Sequence, residues 1–166
     1  PDKPKGCFIY LGDRWFANHL HDSRYVWLPF VVPSNLQRDV PITLENLPEW
    51  DMTIFDARGP IAKAPEAFLD GEDLTWNAVD NAAAYRVFCN GKHIGSTTST
   101  RFRPELMPAG AALRYEVVGF NLEGNFSPRS RAVTRATAPR RPIRLGDLRP
   151  DSWKAAWISP YRNVDM

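Results

Sequence analysis

Two stretches near the start of the chain are apolar on both faces of any strand they form. In CFIYL, residues 7–11, Phe8 and Tyr10 point one way while Cys7, Ile9 and Leu11 point the other. In YVWLPF, residues 25–30, Tyr25 and Trp27 oppose Val26, Leu28 and Phe30. Strands of this kind must be covered on both sides. A small sheet cannot do that for itself, so residues 1–58 need neighbouring layers beyond their own. A third strand is predicted within residues 40–55, VPITLENLPEWDMTIF, and the polar ANHLHD, residues 17–22, joins the first two in the manner of a hairpin connection.

From Asp56 to Glu66, DARGPIAKAPE holds two prolines and a glycine with little periodicity and reads as a linker, its centre at 59–66. A second unit follows. Leu74 and Trp76 share one strand face, as do Tyr85, Val87 and Cys89, and Asn90-Gly91 is a hairpin turn signal. Further on, Leu113, Tyr115 and Val117 oppose Arg114 and Glu116. Short strands at regular spacing with turn residues between them predict an antiparallel β-sandwich, and the chain as a whole reads as all-β. Beyond Pro139, residues 138–166 form a tail in which Trp153 and Trp157, four apart, share a face if the segment is helical.

Charge narrows the partners. Lys and Arg number 21 against 19 Asp and Glu, a net charge of +2, which supports neither nucleic-acid nor membrane-surface binding. The basic residues that do cluster, Arg135, Arg140, Arg141 and Arg144, lie in a proline-containing stretch and read as solvated linker. No apolar run reaches the 18 or so residues that a membrane span requires. No charged stretch followed by an apolar one opens the chain, and because residue 1 is Pro rather than Met the chain is read as a processed or excised piece whose export signal could lie upstream, so its start does not reveal a compartment. Cys7 and Cys89 lack metal-ligand spacing and read as two buried free thiols rather than one disulfide.

Chemistry is harder to place. An inverting glycosidase needs two carboxyl groups roughly 6.5–9.5 Å apart, and Asp13, Asp22, Glu45, Glu49 and Asp51 are the candidates in the first segment. None forms a convincing pair: Asp13 adjoins Arg14 and Asp22 lies two residues from Arg24, which suits salt bridges or turn caps. No catalytic residue is assigned. His19, His21 and His93 complete neither a nucleophilic triad nor a metal site, and no glycine loop suits a phosphate, so neither a metal nor another cofactor is expected.

Residues 67–137 resemble a fibronectin type III domain. Trp76 matches the core Trp of the second strand, YRVFCNG (85–91) the third strand and its turn, and Leu106 with Tyr115 the tyrosine corner. The first segment carries a second resemblance, on Gly12-Asp13-Arg14-Trp15, on Ser23 to Pro29 and on Trp50-Asp51. These look like the last blade of the five-bladed β-propeller of family-43 glycoside hydrolases, particularly members similar to exo-β-1,3-galactanases. That resemblance implies a secreted or periplasmic parent enzyme that hydrolyses a polysaccharide or oligosaccharide with inversion. Its acidic residues would come largely from upstream blades of the same parent chain, and this chain alone would be inactive. A blade stacked between two others is covered on both faces, as the doubly apolar strands require. Trp15 and Arg14 are the substrate-binding candidates, with aromatic–guanidinium packing as their other reading. LGDLRPDSWKAAW, residues 145–157, resembles the opening of a carbohydrate-binding module, with a docked or frayed tail as the alternative. Two rival functions remain open: a non-catalytic carbohydrate-binding or adhesion module, and a structural spacer.

Overall fold

A computed structural model describes residues 6–14, 24–32, 42, 44–105 and 112–136. The expected tail motifs and Leu106 lie outside the described residues. Strand β1 (Cys7–Arg14) pairs antiparallel with β2 (Arg24–Val31), in unbroken register from Cys7 opposite Val31 to Arg14 opposite Arg24. The register puts Ile9, Leu11 and Asp13 on one face with Pro29, Trp27 and Tyr25. It puts Phe8, Tyr10 and Gly12 on the other with Phe30, Leu28 and Val26. On this second face Phe8 and Phe30 stack at 5.4 Å between ring centroids. Gly12 earns its place here: the Tyr10 ring lies over it, and a β-carbon would come 2.5 Å from that ring.

Seven more strands form two antiparallel sheets. One has the order β3 (Ala67–Asp70), β4 (Asp73–Trp76), β7 (Arg101–Phe102). The other runs β6 (Lys92–Thr97), β5 (Ala84–Cys89), β8 (Ala112–Phe120), β9 (Val133–Ala136). The alternation read from the sequence is realised. Leu74 and Trp76 of the first sheet meet Tyr85, Val87, Cys89, Leu113, Tyr115 and Val117 of the second in one buried cluster. Asn90 and Gly91, both at positive φ (50° and 80°), make the tight turn between β5 and β6. Arg135 of β9 donates to the carbonyls of Gly71 and Glu72, tying the β3–β4 turn to the opposite sheet.

Beside β8 the chain passes through Pro128, which has no amide hydrogen to offer a ladder. Serine hydroxyls take over part of the pairing. Ser130 Oγ accepts from Val117 N and Ser127 Oγ from Gly119 N, each at 2.9 Å, while the two serine amides donate back to the same residues' carbonyls. Residues 59–66 contain no strand, yet Ile61 joins the buried cluster and Pro65 is fully buried. Asn121, wholly buried, donates through Nδ2 to Gly59 O (2.8 Å) and Asn81 O (3.1 Å) and so fastens this stretch to the sheets.

Among the described residues, 42 and 44–55, the expected third strand of the first segment does not form. Residues 44–51 are irregular and Met52–Phe55 is a 3-10 helix, whose N-cap Asp51 accepts from Thr53 N at 2.7 Å. Arg58 closes its other end on the Phe55 carbonyl. The reason lies across the four-stranded sheet. Its outer face carries Ala84 and Phe120, and Leu47, Ile54 and Phe55 pack there with Leu122 in a second buried cluster, with Cys7 and Val31 of the hairpin at its margin.

One ionic contact holds that layer down. Arg86, also on the outer face, donates to Glu45 Oε2 from Nε (3.0 Å) and Nη2 (2.6 Å), and Ser96 donates to Glu45 Oε1. Glu45 is only 6% exposed, so its charge depends on these donors. The Arg86 guanidinium also lies over the rings of Phe120 and Phe126, 5.3 and 5.0 Å from their centroids. Replacing Glu45→Gln removes the anion while keeping the shape. Its expected cost is about 2–3 kcal/mol, read as a lower urea midpoint at unchanged slope.

Asp73 gives the opposite sheet a pH dependence. Arg103 Nε (2.6 Å) and Arg101 Nε reach its two carboxylate oxygens. The hydrogen bond from Arg103, helped by Arg101, holds this carboxyl below its ordinary value against the opposing effect of desolvation. A carboxyl that titrates lower when folded stabilises fully above its unfolded pKa of about 4, and that contribution is lost as pH falls through the folded value. Urea titrations from neutral pH downward are expected to show stability falling below about pH 4, with a shallower fall in Asp73→Asn.

Candidate functional site

The hairpin and the irregular segment face one another across a cleft of about 830 Å³. Ile9, Tyr25 and Trp27, which share one hairpin face, contribute one wall, and residues 46–52 the other. Arg14 and Val26 also line it. Trp50 fixes the two walls together. Its indole Nε1 donates to the Trp27 carbonyl at 2.8 Å, while its ring meets Phe55 edge-on at 6.4 Å. The polar group of Trp50 is thereby consumed in holding the cleft, and Tyr25 (78% exposed) and Trp27 (59%) present their rings to solvent. Asn46 and Glu49 add hydrogen-bonding groups to the opposite wall.

A second cleft of about 440 Å³ shares Glu49, Trp50 and Asp51 with the first and reaches Thr53, Ala83 and Thr98. Thr98 Oγ1 donates to the Glu49 carbonyl at 3.1 Å, so the ridge between the two clefts is anchored to the end of β6. Asp51 serves this ridge as the helix cap.

Of the two residues expected to touch substrate, Arg14 does line the larger cleft, and Trp15 lies outside the described residues. Asp13 stands opposite Tyr25 in the hairpin register. Asp22, His19 and His21 also lie outside the described residues. His93 Nε2 is 3.0 Å from Ser96 Oγ, a pairing that resembles half of a nucleophilic triad. Ser96, however, is buried and gives its proton to Glu45, so this cluster is engaged in holding the outer layer. Among the described residues no group of three or more His, Cys, Asp or Glu side chains could hold a metal ion. Cys7, half-buried, and Cys89, buried, are both free thiols.

The aromatic wall is not legible in the sequence. Tyr25 and Trp27 belong to a strand predicted to be covered on both faces, whereas in the structure both rings stand open. The signal for the cleft was Trp50 beside Pro48 and Asp51: a proline and a capping acid end a strand, leaving an indole free to reach back to the hairpin.

No family model matches the chain. A stretch of 64 residues, 39% of the chain, is 38% identical to a part of a poly(3-hydroxybutyrate) depolymerase from Ralstonia pickettii that makes up 13% of that protein. A stretch of 91 residues, 53% of the chain, is 37% identical to 7% of an alpha-amylase from Niallia circulans. Among solved structures, the spore cortex lytic enzyme SleM of Clostridium perfringens aligns over 47% of this chain and 28% of its own. That alignment has 22% identity and a TM-score of 0.37, too loose a likeness to carry an argument. The similarity to curated proteins is thus to small pieces of two much longer enzymes.

Proposed function

We propose that this chain is a portion of a secreted or periplasmic glycan-degrading enzyme, with β-galactan as the working substrate, and that it holds glycan without hydrolysing it. In this reading the hairpin belongs to a family-43-like propeller whose other blades, with the catalytic carboxylates, lie elsewhere in the same protein. Residues 67–137 are a fibronectin type III-like domain. The observation that carries the reading is the hairpin's second face. Phe8 (49% exposed) and Tyr10 (46%) stand open on a two-stranded sheet, a surface suited to stacking against another β layer.

Other observations support it. The order of the three- and four-stranded sheets, with Trp76 and Tyr115 in the core between them, fits the fibronectin type III pattern. Two of the candidate carboxylates are already engaged, Glu45 with Arg86 and Asp51 as a cap, which agrees with catalysis residing elsewhere. The two curated relatives bear the names of unlike enzymes and match only over short stretches, as expected of an accessory piece rather than a catalytic unit. That last point also favours the rival reading of a free-standing carbohydrate-binding module.

Incubation of the chain with insoluble β-galactan, starch and xylan tests the proposal through two readouts. Retention on at least one polysaccharide, with no release of reducing ends, is expected. Failure to be retained on any of them would overturn the glycan reading. Separately, the chain is expected to bind a hydrophobic dye and to lose part of that signal in Phe8→Ser. An unchanged signal in the variant would sink the stacking role of this face.

A further inference from the structure

We infer that the cleft between the hairpin and residues 46–52 is a binding site for a neutral pyranose chain; this rests on the glycan reading above. The two faces of the hairpin then have different occupants, protein on the Phe8 side and sugar on the Trp27 side.

The first support is shape. Tyr25 and Trp27 are two residues apart on one strand, so both project from the same face about 7 Å apart along it. Their rings remain largely open although Trp50 pins the strand beneath them from the other wall. Sugar rings are amphipathic in the same way as this wall is. Their C–H faces stack on aromatic rings while their hydroxyl edges need hydrogen-bonding groups. The opposite wall offers such groups in Asn46 and Glu49, and the cleft volume falls within the range of small-ligand sites.

Charge selects within the class. Among the described residues that line the cleft, Glu49 and Asp51 against Arg14 make one excess negative charge. A carboxylated sugar entering the cleft would face that excess, whereas a neutral sugar would not. The Glu49 carboxylate can instead accept hydrogen bonds from the hydroxyls of a neutral ring.

Calorimetric titration of the whole chain tests this, with galactohexaose, maltohexaose and xylohexaose as neutral probes and hexagalacturonate as the acidic one. At least one neutral probe is expected to bind, and hexagalacturonate at least tenfold more weakly. Trp27→Ala is expected to weaken the neutral probe tenfold or more and Tyr25→Ala several-fold. Phe8→Ala, on the opposite face, should leave the affinity unchanged. Both aromatic side chains are exposed, and an unchanged urea midpoint in Tyr25→Ala keeps the test valid should Trp27→Ala fold poorly. Unchanged binding in both aromatic variants would overturn the cleft as the site while leaving the glycan reading intact. Equal affinity for hexagalacturonate would overturn its neutral preference. Absence of retention on every polysaccharide would remove the glycan reading itself, a result distinct from either.

Discussion

The buried contact between Glu45 and Arg86 organises the outer half of this molecule. A β-sheet that places an arginine amid phenylalanines on its outer face must either leave that face wet or supply an anion. Here a segment 41 residues upstream supplies it. Once Glu45 is seated against Arg86 and Ser96, Leu47, Ile54 and Phe55 have a fixed route across the same face, and Trp50 is carried to the position from which it reaches β2. The cleft is therefore a consequence of how a charged patch on the sandwich is neutralised. Because the desolvated carboxylate would be costly alone, the layer is expected to seat or lift as a unit.

Much of the sandwich could be read directly from residue order. Alternation in Leu113 to Val117, the shared faces of Leu74 with Trp76 and of Tyr85 with Val87 and Cys89, and the Asn90-Gly91 turn depend on local period and turn chemistry, and each appears in the structure where expected. The cysteines likewise remain unpaired. Residues 40–55 misled because β-branched and apolar residues suggest a strand when counted alone, while Pro48 and the Asp51 cap oppose one. What decides the outcome is Glu45 meeting Arg86, and side-chain complementarity across such a separation leaves no periodic trace in a sequence.

The doubly apolar hairpin shows where the same reasoning reaches its end. Both faces call for cover, yet residues 46–52 stand opposite Ile9, Tyr25 and Trp27 across an open cleft and leave all three exposed. Arg14, a candidate through the resemblance carried by residues 12–15, lines the cleft. The cleft itself is not legible in the sequence, because its far wall comes from a segment whose path is set by the sandwich. Local patterns reveal which surfaces need a partner; they do not reveal which distant segment arrives.

The two free thiols report on separate parts of this architecture. Cys89 lies inside the cluster between the two sheets, whereas Cys7 sits at the margin of the cluster formed by the outer layer. A thiol reagent added to the native protein therefore finds Cys7 already half-exposed at the hairpin base, and only opening of the sandwich exposes Cys89. The slower of the two reactions is thus a clock for loss of the inner fold, with the faster one as its internal reference.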